Sequence, residues 1–149
     1  RLRVWVVGEG SLRRYRSQTA RRGITDRVHF AGPVADPERW MAAADLFVLP
    51  TLYDPFANTC LEALASGLPV ITTTANGAAE ILEEGRTGAA IPDPRDVEAL
   101  AGRIVEFLQP ARREERTAAA RAAAEALPME EHLKQVLSLY EEVRGGVLA

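Results

Sequence analysis

The fold of this chain is decided by residues 46–73, which read LFVLPTLYDPFANTCLEALASGLPVITT. An apolar run ends at Pro50, an irregular loop follows, and a helical pattern over 58–66 stops at Gly67. Glycine suits the left-handed end of a helix. The next four residues, 70–73, are all β-branched, which favours a strand. The stretch therefore predicts a strand, a loop, a helix and a second strand in succession.

The same alternation of strand and helix patterns extends over the rest of the chain. Predicted strands cover residues 2–7, 28–30, 46–49, 70–73 and 89–91. Predicted helices cover residues 11–23 with Ser11 as the cap, 38–44, 58–66, a short segment after Gly77, a segment from Asp93 or Asp96 to Leu108, a solvated segment at 111–127, and 128–145. Trp5, Trp40 and Phe47 are assigned to the core. This order predicts an α/β, Rossmann-like fold, a parallel sheet with helices on both faces.

Composition excludes several classes of protein. The chain has 149 residues, 47% of them hydrophobic, and a net charge of −3, which argues against disorder and against a nucleic-acid partner. Its single cysteine, Cys60, excludes an internal disulfide, and His29 and His132 do not lie in a metal-ligand spacing. No apolar run is long enough to cross a bilayer, so we expect a cytoplasmic protein.

The chain begins at Arg1, without methionine, and enters an apolar stretch at once. We expect further sequence upstream, and we divide the chain into a domain at 1–127 and a last helical segment at 128–149. Leu133, Val136, Leu137 and Tyr140 recur at helical spacing in that last helix. They face either a missing partner domain or the core of this one.

The loop after residue 49 carries the candidate chemistry. Asp54 lies in the loop, Glu62 lies one turn into the helix, and the helix begins between them. The first amides of a helix have no partner within it and bind phosphate readily. A phosphate on the amides near Asn58 and Thr59 would lie between the two carboxylates, and Glu62 could accept hydrogen bonds from a ribose diol. Alternatively, acids near a helix N-terminus stabilise the helix whatever its function.

Several motifs in order resemble one family. Asp54 and Glu62 have the separation of its two acids; the runs 63–70 (ALASGLPV) and 77–80 (GAAE) follow. The segments 6–10 (VVGEG) and 28–32 (VHFAG) match its preceding motifs. Over residues 2–108 the chain resembles the C-terminal domain of GT-B-fold retaining glycosyltransferases of family 4, which belong to group 1. The resemblance implies that the first, central strand of that fold lies outside this sequence. It also implies that residues 1–127 form the nucleotide-sugar-binding domain and that residues 128–149 form a helix that crosses to the other domain.

The resemblance implies that the chain binds a nucleotide-diphosphate sugar of the UDP-glucose type. The implied catalytic residues are Asp54, which contacts the donor sugar, and Glu62, which holds the ribose. The implied donor-binding residues are Gly8, Val34, Phe56, Ala57, Asn58, Thr59 and Glu62, with the amides of 57–59 around the diphosphate. No metal or other cofactor is implied. The implied partners are the donor and an N-terminal acceptor domain, and the implied setting is polysaccharide or lipopolysaccharide synthesis.

Three departures from the family pattern leave a second interpretation open. The first acid is Asp54 rather than glutamate, Pro55 and Ala57 replace glycines, and the family's upstream Arg and Lys lie outside this sequence. A degenerate, non-catalytic binding or assembly module would tolerate all three. A GT-B sugar-nucleotide epimerase would be expected to carry further acids and histidines.

Other signals have ordinary explanations. Gly8 and Gly10 alone are a weak nicotinamide-cofactor motif, because Arg13 occupies the third glycine position. Five arginines, at positions 13, 14, 16, 21 and 22, form either a solvated helix face or a contact with anionic lipid at the inner membrane surface. His29 is expected to be half-buried and Cys60 to serve packing, although a reactive thiol at a helix N-terminus is the alternative.

Overall fold

The computed structural model describes residues 2–146, so residues 147–149 of the predicted last segment lie outside the described part. It contains five strands: β1 Val4–Val7, β2 Val28–Gly32, β3 Phe47–Val48, β4 Val70–Thr73 and β5 Gly88–Ile91. Its six α-helices are α1 Arg13–Arg21, α2 Pro37–Ala42, α3 Asn58–Ala65, α4 Val97–Phe107, α5 Arg113–Glu125 and α6 Met129–Gly146. Short 3-10 helices cover Gly77–Ile81 and Pro110–Arg112. The alternation of strand and helix predicted from the sequence is therefore confirmed.

The chain divides into two compact units after Trp40. In the first, β1 and β2 pair in parallel from Val4 opposite Val28. In the second, β3, β4 and β5 form a three-stranded parallel sheet in that order. The predicted domain boundary at 127/128 and the predicted absence of a central strand both stay predictions.

Helices cover both faces of the three-stranded sheet. On one face Val70 packs with Leu64 of α3 and Ala120 of α5. On the other face Ile71 packs with Ala89 and with Phe107 of α4. Successive residues of a strand point to opposite faces, so the continuous apolar run of β4 reflects burial on both sides. All four β4 residues are buried.

The helix ends in this unit follow their local sequence. Gly67 has φ +75°, the left-handed conformation predicted for the end of α3. Asp96 caps α4, because its carboxylate accepts a hydrogen bond from the Ala99 amide at 2.9 Å. The sequence left the choice between Asp93 and Asp96 open, and the structure selects Asp96.

Three sequence predictions about burial and capping are wrong. Leu12, not Ser11, occupies the N-cap position of α1, and no side chain caps that helix. Trp5 is 52% exposed rather than in the core; its ring stacks on that of His29, 4.4 Å between centroids, and meets the ring of Trp40 edge-on. Trp40 is exposed as well, whereas Phe47 is half-buried against the core. His29 is half-buried, as predicted.

The region predicted as a solvated helix is solvated on one face only. Ala119 and Ala120 of α5 are buried, and Ala120 belongs to the core around α3. Small side chains allow this close packing. Because α5 contains many alanines, the sequence shows no periodicity that would distinguish the buried ones from the exposed ones. The stripe of α6, by contrast, is mostly exposed: Leu133, Leu137 and Tyr140 are each more than half exposed.

Arg116 of α5 is a buried cation, 1% exposed. Its guanidinium donates hydrogen bonds to the carbonyls of Glu106 (2.8 Å) and Gly85 (3.3 Å) and lies 4.3 Å from the centroid of the Phe107 ring. Burial lowers the pKa of Arg116. The side chain thus joins α5 to the end of α4 and to the turn before β5.

Replacing Arg116 with alanine should lower the free energy of unfolding by about 3 kcal/mol, because it removes both carbonyl hydrogen bonds and the packing on Phe107. Urea unfolding measures the change. The matched control is Arg121→Ala: Arg121 also donates to a carbonyl, that of Ala65, but is exposed. The control should change stability by less than about 0.5 kcal/mol; equal effects would contradict a special role for Arg116.

Candidate functional site

The candidate site lies where β3 and β4 end, in the loop that leads from β3 to α3. Because the two strands are parallel, their carboxyl ends meet at one edge of the sheet, which is where ligands bind in this architecture. The loop is fastened to β4 there: the hydroxyls of Thr72 and Thr73 donate hydrogen bonds to the carbonyls of Leu49 and Thr51, at 2.9 and 2.8 Å. The path of the loop is therefore determined by the strand beside it.

Further along, the loop is held by the turn that follows β4. The amide of Asp54 donates to the Ala75 carbonyl at 3.1 Å, and the amide of Gly77 donates to the Asp54 carbonyl at 3.0 Å. The amide of Ala57 donates to Oδ1 of Asn76 at 3.1 Å. These hydrogen bonds hold the loop against the turn at Asp54 and again at Ala57.

Only part of the predicted amide cradle is available to a ligand. The Ala57 amide already donates to Asn76, and Ala57 itself is buried. The contact of this amide with a diphosphate stays a prediction. The amides of Asn58 and Thr59, at the first two positions of α3, have no acceptor among residues 2–146. Both residues are exposed. Two amides at the positive end of the helix dipole remain open to an anion.

The two candidate carboxylates differ in their surroundings. One oxygen of Asp54 accepts the amide of Phe56 at 3.0 Å, closing an Asx turn around Pro55. Its second oxygen has no partner among the described residues. Glu62 is exposed, and within residues 2–146 its carboxylate forms no hydrogen bond or ion pair. Glu62 is thus fully available to a ligand, whereas Asp54 also shapes its own loop.

The shorter acid explains one departure from the family pattern. An Asx turn requires a carboxylate one methylene from the backbone, so aspartate closes it where glutamate does not. Pro55 has no amide to offer, and its fixed φ suits a turn. Phe56, a predicted donor-binding residue, is 38% exposed at this turn. Asp54 and Pro55, the second of which stands where the family has glycine, together give the loop a defined turn.

The remaining predicted site residues, Gly8 and Val34, belong to the first unit. Gly8 has φ +128°, which favours glycine, and a Cβ there would meet open space. Its amide donates to the Gly32 carbonyl at 2.9 Å, so it is not free for a ligand. Val34 is half-buried in the segment after β2. The five arginines on α1 and just after it are exposed, as both interpretations of them require.

Cys60 is buried at the start of α3, which agrees with a packing role. Burial, the largest cause, raises the pKa of its thiol, and the neighbouring Asp54 charge raises it further. Hydrogen bonding by Asn76 acts in the opposite direction. Because the thiolate is the reactive form, the alternative of a reactive cysteine is not supported.

Sequence reasoning missed Asn76, to which it assigned no role. Asn76 is 1% exposed. An Asn-Gly pair is an ordinary turn signal, and nothing in its spacing indicates contact with a helix N-terminus nineteen residues earlier. The identity of Gly77 has a steric basis: a Cβ at this position would overlap the Pro55 carbonyl oxygen.

Residues 2–146 contain no group of three or more His, Cys, Asp or Glu side chains placed to hold a metal ion. In the same residues no helix combines the length and the apolar character needed to cross a membrane.

Comparison with known proteins gives consistent results. The family model described as "Glycosyl transferases group 1" matches residues 1–110. The lipopolysaccharide core biosynthesis glycosyltransferase LpsE of Rhizobium meliloti is 32% identical over 106 residues, which are 70% of this chain and 31% of LpsE. The chain thus spans about a third of the length of this relative.

Solved structures agree on the fold. The crystal structure of WaaG, a glycosyltransferase involved in lipopolysaccharide biosynthesis, matches 97% of this chain and 38% of its own with TM-score 0.79 and 27% identity. Anabaena HepE in complex with UDP-glucose matches 94% of this chain and 41% of its own with TM-score 0.82 and 26% identity. These neighbours are GT-B glycosyltransferases, which confirms the predicted fold class.

Replacing Gly77 with alanine should displace the loop that carries Asp54, because the new methyl group would overlap the Pro55 carbonyl. We expect a loss of about 2 kcal/mol or more in the free energy of unfolding, and chemical-shift changes in the amides of residues 54–57. The control is Gly102→Ala on α4, where a Cβ meets nothing within 4 Å. That exchange should stabilise the chain by about 0.5–1 kcal/mol. Equal stability of the two variants would contradict the steric argument.

Proposed function

The chain belongs to the group 1 glycosyl transferases, and from this premise we propose that it forms the donor-binding part of a retaining enzyme of family 4. The proposed donor is a nucleotide-diphosphate sugar of the UDP-glucose type, and the proposed acceptor is a sugar or a lipid-linked sugar. The chain covers about a third of its relatives, so the activity is assigned to a protein that also contains an acceptor domain. On its own the chain would bind the donor and transfer nothing.

The observation that carries the proposal is the pair of open amides, at Asn58 and Thr59, beside the unpartnered carboxylate of Glu62. Two free N–H groups at a helix N-terminus suit a diphosphate. A carboxylate without a protein partner can accept two hydrogen bonds from a ribose diol. The structural likeness to HepE, which was solved with UDP-glucose, supports this combination of ligand groups.

In the proposed reaction the bond between the anomeric carbon and the donor diphosphate breaks, and the acceptor oxygen attacks the same face of the sugar. A donor phosphate oxygen takes the acceptor's proton, so the chain itself supplies no general base. Asp54 would accept hydrogen bonds from the donor sugar hydroxyls through its free oxygen. The helix end would stabilise the negative charge of the departing diphosphate, and we propose no metal for this step.

The wider setting follows from the relatives. LpsE and WaaG act in lipopolysaccharide synthesis, and we propose a related cytoplasmic role in lipopolysaccharide or polysaccharide assembly. Contact of the exposed arginines of α1 with the inner membrane surface belongs to the same proposal.

One observation favours the second candidate, a non-catalytic module that binds nucleotide sugars. Between residues 54 and 57 every amide is used within the protein or absent: Asp54 and Ala57 bond to the turn after β4, Phe56 bonds to the Asp54 carboxylate, and Pro55 has none. Residues 54–57 therefore offer no free amide to a diphosphate, which would have to be held by the amides of α3 with fewer hydrogen bonds. The two candidates differ in whether the Asp54 carboxylate recognises the sugar.

The Glu62→Ala variant tests the donor site. We expect UDP to shift the amide resonances of Asn58 and Thr59 in an NMR titration of the unmodified chain, and the variant to bind UDP at least about tenfold more weakly, because two hydrogen bonds to a charged group are lost. The control is Glu98→Ala, since Glu98 is likewise an exposed helical acid but lies on α4. Identical titrations of the Glu62 and Glu98 variants would remove the ribose assignment.

The Asp54→Asn variant separates the turn from the charge. Asparagine keeps an oxygen that accepts the Phe56 amide, so stability should change by less than about 0.5 kcal/mol. Binding of UDP should be unchanged, whereas any additional affinity for UDP-glucose over UDP should disappear. Calorimetric titration with both ligands measures the difference. A variant that still prefers UDP-glucose would favour the non-catalytic module.

A further inference from the structure

Asn76 uses its whole hydrogen-bonding capacity inside the protein. Its Oδ1 accepts the amides of Ala57 and Ala78, each at 3.1 Å. Its Nδ2 donates to Oγ1 of Thr72 at 2.9 Å and to Sγ of Cys60 at 3.6 Å. A carboxamide offers two lone pairs and two N–H groups, so all four are satisfied. Rotating the amide by 180° would set its NH₂ group against two N–H donors, and its orientation is therefore determined.

The N-terminus of α3 has no local side-chain cap. Ala57 occupies the N-cap position, and no side chain at that position accepts an amide of the first turn. A serine, threonine, aspartate or asparagine there would place its oxygen on the amide of the second or third helical residue. Such a cap would compete with an anion for the Thr59 amide. The absence of a side-chain cap leaves that amide open.

The helix start is instead held from a distance. Asn76 binds the amide of Ala57 itself, one residue before the helix begins, and does so from the beginning of the 3-10 helix Gly77–Ile81. It therefore fixes the position of the first turn without occupying the amides of Asn58 and Thr59. A local cap on the second helical residue would instead occupy the Thr59 amide.

We propose that Asn76 is the positioning residue of the donor site: it anchors the start of α3 through the Ala57 amide and thereby keeps the next two amides available for the diphosphate. This inference rests on the proposed function. Asn76 itself is buried and is not assigned any contact with the donor.

The first test compares Asn76→Ala with Thr87→Ala. Thr87 is a matched control because it is 1% exposed and its hydroxyl accepts the Glu83 amide at 2.7 Å, before β5 and so at the opposite end of the sheet. In the unliganded chain, Asn76→Ala should speed hydrogen exchange of the Ala57 amide at least about tenfold, and Thr87→Ala should not. Under conditions where both variants are folded, UDP should bind Asn76→Ala about tenfold more weakly than Thr87→Ala.

The second test uses Ala57→Ser, which introduces the local cap. The new hydroxyl should accept the amide of the second helical residue, Thr59, so the variant should be as stable as the unmodified chain or more so. It should nevertheless bind UDP about threefold to tenfold more weakly, because the anion then competes with the cap. A purely structural role of the helix start would not weaken binding while stability is kept.

The outcomes separate this inference from the proposed function. If the unmodified chain binds neither UDP nor UDP-glucose, the proposed function is overturned and the inference with it. If it binds, equal affinities of Asn76→Ala and Thr87→Ala overturn the role of Asn76 alone. Should Asn76→Ala fail to fold, an Ala57→Ser variant that binds UDP as tightly as the unmodified chain still overturns the inference.

Discussion

The candidate site depends on hydrogen bonds between two loops that are far apart in sequence. The loop after β3 carries the first acid and leads into α3, and the turn after β4 binds its backbone at Asp54 and at Ala57. Both loops leave the sheet at the same edge because β3 and β4 are parallel. Without these bonds a loop containing Pro55 and ending in an uncapped helix would have several conformations of similar energy. With them, the start of α3 is held in place, and the two open amides and Glu62 lie on that one helix.

Features that depend on contacts between neighbouring residues could be predicted from the sequence, and those that depend on contacts between distant residues could not. Gly67, Asp96 and the β-branched run of β4 act through their immediate neighbours, and their roles were read correctly, with only the choice of Asp93 or Asp96 left open. Arg116 and Asn76 act on residues ten to thirty-one positions away. No periodicity marks such contacts. A buried arginine among alanines, or an asparagine before a glycine, has the same local pattern as an exposed one.

The same reasoning applies to the candidate site. The prediction that Asp54 lies in the loop and Glu62 one turn into the helix is confirmed. The sequence prediction also treated the amides of residues 57, 58 and 59 as equally available to a ligand. In the structure they are not, since the amide of Ala57 belongs to the turn after β4, and those of Asn58 and Thr59 belong to no protein acceptor among the described residues. An assignment of free amides requires knowledge of every acceptor nearby, including one nineteen residues later.

The Asx turn at Asp54 affects when the conformational entropy of the loop is lost. Proline restricts one backbone angle, the carboxylate closes the turn, and the flanking amides are already paired. The conformational entropy of this segment is therefore lost when the chain folds rather than when a ligand arrives. A ligand that bound here would therefore not have to order this segment.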